Sequence, residues 1–245
     1  MTAYQGGKKK IGKQLSIVLK QVEKDHGKED MDYFEPFCGM CGVLNHMNNG
    51  KRKIIANDLN TDIIMMWKAV QDGWVPEYKE YDEEEYKQLV KDKPSKERSF
   101  YTIAHSFHNE FLGPRRSNIV MRGQNYITCA INGVKKINVD NVVFENKSYT
   151  DYNPKGMLIY CDPPYMNNKF SRNIYFKDFD YKLFWNKMRE WSKNNLVIVS
   201  EYEAPEDFTC IWDKEYKWNV NAVNQKTKEN GSYNYKKIEK LFVYR

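Results

Sequence analysis

Met31-Asp32-Tyr33-Phe34-Glu35-Pro36-Phe37-Cys38-Gly39-Met40-Cys41-Gly42, running on into Val43-Leu44-Asn45-His46-Met47, is the stretch that decides the fold. Residues 31–35 read as a short strand, the two glycines as a turn, and residues 43–47 as the start of a helix. A strand, a glycine-bearing turn and a helix in that order are how a doubly wound sheet brings its backbone close to a nucleotide-like ligand. The next apolar run, Lys53-Ile54-Ile55-Ala56, ends at Asn57-Asp58. Asp58 falls about 20 positions beyond Gly39, the spacing at which an acid meets ribose hydroxyls in such units. The full phosphate-binding fingerprint of dinucleotide sites is missing. A ligand with adenosine and ribose but no pyrophosphate fits better, and S-adenosylmethionine is one.

Further along, the apolar run Met157-Leu158-Ile159-Tyr160-Cys161 ends in Asp162-Pro163-Pro164-Tyr165. This tetrapeptide stands where a buried strand gives way to a loop. It combines a carboxylate, two rigid residues without an amide proton, and a flat aromatic ring. That set can hold an exocyclic amine on a planar heterocycle and make it react. The amine's lone pair is delocalised into the ring; two acceptors, the Asp162 carboxylate and the Pro163 carbonyl, draw on its two protons and stabilise the positive charge that develops as it attacks. Pro163 and Pro164 fix their own φ and stiffen the loop, and Tyr165 offers a face on which a base can stack, worth roughly 1–3 kcal/mol. A plain turn with locally packed Tyr165 is the bland alternative.

At the amino end, Tyr4-Gln5-Gly6-Gly7-Lys8 reads equally as a tight glycine loop presenting one lysine or as the start of a basic tail, because Lys8-Lys9-Lys10 is a charge run at a chain end. Together, in this order, the three segments resemble the Dam-like (alpha-group) DNA N6-adenine methyltransferases of bacteria, phages and large DNA viruses. That family carries an aromatic-x-Gly-Gly/Ser-Lys loop, then Glu-Pro-Phe-x-Gly, a target-recognition insert, and Asp-Pro-Pro-Tyr. Phe179 to Trp191, Val197 to Tyr202 and Leu241 to Tyr244 are similar to its later part. The resemblance implies a Rossmann-like α/β fold, a mixed seven-stranded sheet with a helical insert. It implies that Tyr4, Gly6, Lys8, Phe37, Gly39, Asp58 and Asp162 contact S-adenosylmethionine, and that Asp162 also faces the target amine with Pro163, Pro164 and Tyr165. The expected layout is a catalytic domain over 1–66 and 153–245 and a recognition insert over 67–152. Cys41 departs from the pattern, standing where many relatives have glycine.

Composition agrees without deciding. The chain has 245 residues, 41% hydrophobic and 15% aromatic, with a formal net charge of +6. That suits one domain with a sizeable insert and a polyanionic partner. The five cysteines include one Cys-x-x-Cys, Cys38 to Cys41, with no second pair or nearby histidine at ligand spacing; no metal is expected. Most of the cysteines read as small core residues of a reducing compartment, so a cytoplasmic site, or a host cell for a viral protein, is expected. No stretch approaches 18 apolar residues, so no membrane span is expected.

Helical spacing marks Leu15 to Val22, and Thr61 is the expected cap of a helix through Ile63, Ile64, Trp67 and Val70. From Trp74 the chain turns charged and aromatic and reads as a solvated helical insert. Asp180 is the expected cap of a helix with Leu183, Phe184, Met188 and Trp191 inward, and Leu196 to Ser200 reads as a buried strand. Trp218 to Tyr244 reads as a hairpin turning near Asn230-Gly231. DNA contact is expected from Arg115, Arg116, Asn118 and Arg122 in the insert and from Lys169 and Arg172 after the catalytic strand. Arginine can read guanine or hold phosphate, or instead bridge to nearby acids. The overall expectation is site-specific methylation of a flipped-out adenine in double-stranded DNA, with no metal and no covalent intermediate. Cytosine-N4 or RNA adenine methylation, or a silent DNA-binding relic, are the alternatives. A homodimer and a cognate restriction endonuclease stay open as partners. A cytosine-C5 enzyme is excluded, because no proline directly precedes a cysteine.

Overall fold

The computed structural model describes residues 7–166, 179–221 and 232–245. Tyr4, Gly6, Lys169, Arg172 and the turn expected at Asn230-Gly231 lie outside the described residues. A 3-10 turn at Lys8–Lys10 leads into α1 (Gly12–Asp25), β1 (Tyr33–Glu35), α2 (Leu44–Met47), β2 (Ile54–Asn57), α3 (Thr61–Gln71), α4 (Glu83–Lys91) and α5 (Lys96–His105). Then come a small hairpin of β3 (Val120–Met121) and β4 (Gln124–Asn125), α6 (Tyr126–Val134), β5 (Val142–Glu145) and β6 (Leu158–Cys161). The order ends with α7 (Tyr181–Ser192), β7 (Leu196–Glu201), β8 (Phe208–Asn221) and β9 (Ser232–Tyr244).

The main sheet has seven strands in the order β5-β2-β1-β6-β7-β9-β8. It is the mixed, mostly parallel sheet of the expected fold class: β9 alone runs against its neighbours β7 and β8. From β1 the chain steps outward through β2 to β5, then returns to lay β6 on the other side of β1 and continues to β7. The strand order therefore reverses between β1 and β6, and ligands of such sheets bind in the crevice beyond the carboxyl ends at that point. The glycine turn follows β1 and Asp162 follows β6, so the topology delivers both to the same crevice.

Strands covered on both faces read as unbroken apolar runs, which is why β6 was legible. Its Leu158 and Tyr160 enter the core shared with α1, α2 and α3, whereas Ile159 and Cys161 enter the core under α7. Asp180 caps α7 as expected, accepting from the Leu183 N–H at 2.9 Å. Leu183 itself is exposed, and Trp185 joins Phe184, Met188 and Trp191 inward instead. The cap of α3 is Asn60, not Thr61: the Asn60 side chain accepts from Asp62 N at 3.1 Å, and the Thr61 hydroxyl bonds to Asn146 at 2.9 Å. α4 begins at Glu83 behind an Asp82–Glu85 capping box and buries Tyr86 and Leu89, so it is less solvated than its charges suggest.

The span 67–152 does not match a separate insert. α3 runs on to Gln71, and β5 pairs in parallel with β2 at the sheet edge. β5 is an edge strand with Val143 exposed, so no apolar run covered on both faces marks it in the polar sequence around it. What lies outside the sheet layers is the stretch between α3 and β5, and even this shares the main core. Leu89, Phe100, Ala104, Ala130 and Val134 pack in one cluster with Leu158, Ile198 and Leu241. Asp62, fully buried at the start of α3, takes both ends of the Arg98 guanidinium at 2.7 Å and tethers α5 to the sheet layer. No helix among the described residues is long and apolar enough to cross a membrane.

Candidate active site

The crevice is assembled around two glycines that let loops touch. A Cβ added to Gly42 would stand 3.0 Å from Lys9 N and 3.1 Å from Lys8 C, and one on Gly12 would stand 2.0 Å from Gly42 O. The turn after β1 is thereby seated directly on the Lys8–Lys10 turn. Lys8 is buried and faces inward, so the Lys8–Lys10 run is a folded 3-10 turn and not a solvated tail. Gly39 has φ +43 and Cys41 φ +54. The turn survives the exchange of glycine for cysteine by holding Cys41 in the left-handed region.

Gly39 N donates to Asp58 Oδ2 at 2.9 Å, Asn60 N donates to Asp58 Oδ1 at 2.9 Å, and Trp67 Nε1 donates to Gly39 O at 2.8 Å. Asp58 therefore stands at the lip of the glycine turn and also organises it. Burial raises its pKa, against the pull of the Asn60, Gly39 and Leu59 N–H groups.

Asp162 meets Lys8 Nζ at 2.8 Å. Lys8 also donates to the Tyr165 hydroxyl at 2.7 Å and lies 3.4 Å from Glu239 Oε1. Tyr165 in turn donates to Glu239, and its hydroxyl lies 2.8 Å from Ser200 Oγ. Its ring stands edge-on to Tyr202 with centroids 4.6 Å apart. The next residue, Met166, donates its N–H to Glu201 Oε2 at 3.2 Å, fixing the far end of the loop to β7. Behind the site, buried Glu35 accepts from the Tyr33 hydroxyl at 2.6 Å.

The electrostatics follow from carboxyl groups crowded around Asp162, with the Lys8 ammonium against it. Burial pushes Asp162 up to about 6, opposed by Lys8 and reinforced by Glu239. Burial likewise pushes Glu201 to about 7 and Glu35 to about 8. For Lys8, burial works downward, but the charges of Asp162 and Glu239 outweigh it and leave the ammonium more firmly protonated than usual.

Lys8, Gly39, Asp58, Asp162, Pro163, Pro164 and Tyr165 thus come together in one crevice. Phe37 sits at its α7 side, packed with Tyr149, Phe179 and Phe184. The expected DNA contacts divide. Asn118 and Arg122 are exposed, the latter at the β3–β4 turn. Arg115 donates to Tyr81 O at 2.9 Å and reaches Glu83 at 4.0 Å. Arg116 departs from its expected role: it is buried, donates to Ser106 O and to Asn109 Oδ1 at 2.6 Å, and stacks 3.6 Å over the Tyr126 ring. Its guanidinium binds the insert's own loops together. His105 is structural as well, with Nδ1 on Tyr101 O at 2.9 Å and Nε2 accepting from Tyr81 N at 3.2 Å.

Glu239 lies outside every sequence motif, and Ser200 and Glu201 are marked there only as part of a strand segment, without a role at the site. Parity held the clue to Glu239: it alternates with fully buried Leu241 on one face of β9, although its neighbours Lys237 and Lys240 made the segment look solvated.

A search of curated proteins finds no match. Among solved structures, one from Pyrococcus horikoshii, described as a presumed RNA methyltransferase, aligns with a TM-score of 0.41 and 8% identity over 94% of this chain and 83% of that chain. The sequence comparison is direct. Residues 4–138, from the glycine loop at the amino end through the turn after β1 to the end of the α6 region, match a family described as D12 class N6 adenine-specific DNA methyltransferase. Asp162 to Tyr165 lie beyond that span, yet the fold brings them into the same crevice as the matched Lys8 and Gly39. On that match, the chain belongs to the D12 class N6 adenine-specific DNA methyltransferase family.

Proposed function

We propose that this chain transfers a methyl group from S-adenosylmethionine to N6 of an adenine swung out of double-stranded DNA at one short sequence. The observation that carries the reading is the place of Asp162: at the carboxyl end of β6, at the switch point of the sheet, 2.8 Å from Lys8 and across from the glycine turn. The crevice fits the donor chemically. Two carboxyl groups, Asp162 and Glu239, contact the Lys8 ammonium, and Glu201 lies close enough to act on both Lys8 and Asp162, so among the described residues acids outnumber the ammonium, which favours a cationic ligand. Each Asp58 oxygen keeps acceptor capacity beyond its bond to backbone. Lys8, Phe37, Gly39 and Asp58 would hold the donor, with Tyr4 and Gly6 from the segment outside the described residues. When bound, S-adenosylmethionine supplies an electrophilic methyl on a sulfonium.

The chain's own groups do the rest. Asp162 and the Pro163 carbonyl accept the two N–H bonds of the target amine and stabilise the charge that grows on it. Tyr165 is pinned at its hydroxyl end, so its ring plane is set before a base arrives. Extrusion of that base costs a few kcal/mol. Exposed Asn118 and Arg122, with Lys169 and Arg172, supply contacts to the duplex.

Methyl transfer from labelled donor should favour duplex DNA over single strands and RNA, and nucleoside digestion should yield N6-methyladenine. Expression in a methylation-free host followed by modification-sensitive sequencing should confine it to one motif. N4-methylcytosine, or methylated RNA alone, would replace this reading, and folded protein that transfers nothing would overturn it.

A further inference from the structure

Resting on the reading above, we propose that Glu239 is a positioning residue of the active site: it holds Lys8 and Tyr165 so that the Asp162 carboxylate stays available to the target amine. Three groups receive the Lys8 ammonium: Asp162 at 2.8 Å, the Tyr165 hydroxyl at 2.7 Å and Glu239 at 3.4 Å. These give the three ammonium protons a fixed tripod. Glu239 also accepts from both the Tyr165 and the Ser200 hydroxyls, so one carboxylate on β9 orients the lysine, the tyrosine and, through β7, the base of the Asp-Pro-Pro-Tyr loop.

The need for a second acid follows from what Asp162 has to do. A carboxylate that alone balances a buried ammonium is a weaker acceptor for a neutral amine, because its charge is already drawn to the cation. Lys8 and Glu239 are 9% and 12% exposed in their side chains, so water does little to dilute their coupling. Sharing the Lys8 charge between Asp162 and Glu239 leaves Asp162 more basic and more strongly accepting. Among the described residues, the charged or titratable groups facing Asp162 are Lys8 from the amino-terminal turn, Glu35 from β1, Tyr160 and Cys161 from β6, Tyr165 from its own loop, Glu201 from β7 and Glu239 from β9. Among these acids, Glu239 is the one in direct contact with Lys8.

Glu239→Gln separates charge from shape, since its amide oxygen still accepts from Tyr165 and Ser200. In the free protein, the Lys8 ammonium, followed by carbon–proton NMR and assigned with Lys8→Arg, should titrate at lower pH in Glu239→Gln than in wild type. An unmoved Lys8 titration would overturn the proposal whether or not the protein methylates DNA. In the methylation assay, Glu239→Gln should lower kcat by about tenfold or more with smaller changes in KM for donor and DNA. The acidic limb of its pH profile should move to lower pH, because loss of the neighbouring charge makes Asp162 easier to ionise. A merely structural role would lower stability and leave that limb in place. Glu239→Asp, which restores the charge, should bring the limb back toward wild type; if Asp and Gln behave alike, the proposal fails. A wild-type protein that transfers no methyl group would instead sink the functional reading, and the Lys8 titration would still decide the role of Glu239.

Discussion

Burial holds Asp162 at about 6, so its carboxylate, the proposed acceptor of the target N–H, dominates at pH 7 and is lost as the pH falls through that value. The rate kcat/KM should therefore drop on the acid side with a midpoint near 6, and stopped-time assays across pH 5 to 8 with labelled donor would trace it. Asp162→Asn keeps the shape and removes the charge; on the scale of lost oxyanion-type stabilisation, kcat should fall about 10²–10³-fold. DNA affinity should change little, as judged by fluorescence anisotropy. Cys41 sets a different problem. Its φ of +54 costs a side-chain-bearing residue roughly 1–2 kcal/mol, yet its thiol is fully buried. Cys41→Gly relieves the strain but loses packing and frees the unfolded chain, so urea unfolding should move by about 1 kcal/mol or less. Cys41→Val places a β-branched residue in a conformation it resists, and should cost about 2 kcal/mol or more. The sequence marks Cys41 as out of pattern; only the backbone angle tells which substitution the turn accepts.

At the scale of elements, the site depends on how closely α1, the turn after β1 and the amino-terminal turn approach one another. A Cβ on Gly12 would lie 2.0 Å from Gly42 O and 2.8 Å from Gly42 C, and backbone on both sides has no flexible end to move aside. Gly12→Ala should push the Lys8 turn away from Asp162 and weaken donor binding by about tenfold or more, a cost of at least 1.4 kcal/mol. Calorimetric titration with S-adenosylmethionine would measure it, and unchanged affinity would mean that the two turns adjust independently. The elements themselves were readable where physics leaves a one-dimensional trace. β6 and β7 show as apolar runs because both faces are covered, and α7 shows as a capped stripe. What stayed hidden depends on contacts distant in sequence. The close approach of Gly12 to Gly42 has no local signature, β5 is an edge strand with one face open and so makes no apolar run, and Asn60 displaces Thr61 as a cap by one position. The grouping of Asp162, Lys8, Gly39 and Asp58 in one crevice was legible because motif residues cluster in the chain. Glu239 was not, because its partners lie on three other segments.

Over the whole molecule, the stretch between α3 and β5 is joined to the sheet by a common core and by the Asp62–Arg98 pair, so the two should unfold together rather than as separate domains. Within that stretch, two arginines that look alike in sequence have opposite burial. Arg116 closes the loops from Ser106 to Tyr126 from inside, whereas Arg122 stands exposed on the two-residue turn between β3 and β4, with φ +51 followed by Gly123 at +74. Arg116→Ala leaves a buried carbonyl and amide without their donor, and should cost about 2–4 kcal/mol of stability. It should weaken DNA binding only indirectly, by loosening the loops that carry Asn118 and Arg122. Arg122→Ala touches no core and should leave stability within about 0.5 kcal/mol. Its effect should fall on DNA. If Arg122 holds phosphate, affinity drops for every sequence and the slope of log K against log salt shrinks by about 1; if it reads a base, the loss of about 1–3 kcal/mol appears only at sites with the preferred base. Unfolding curves and binding isotherms at two salt concentrations separate the pair. An Arg116→Ala protein as stable as wild type, or an Arg122→Ala protein that binds DNA unchanged, would mean that the insert presents a different surface to the duplex.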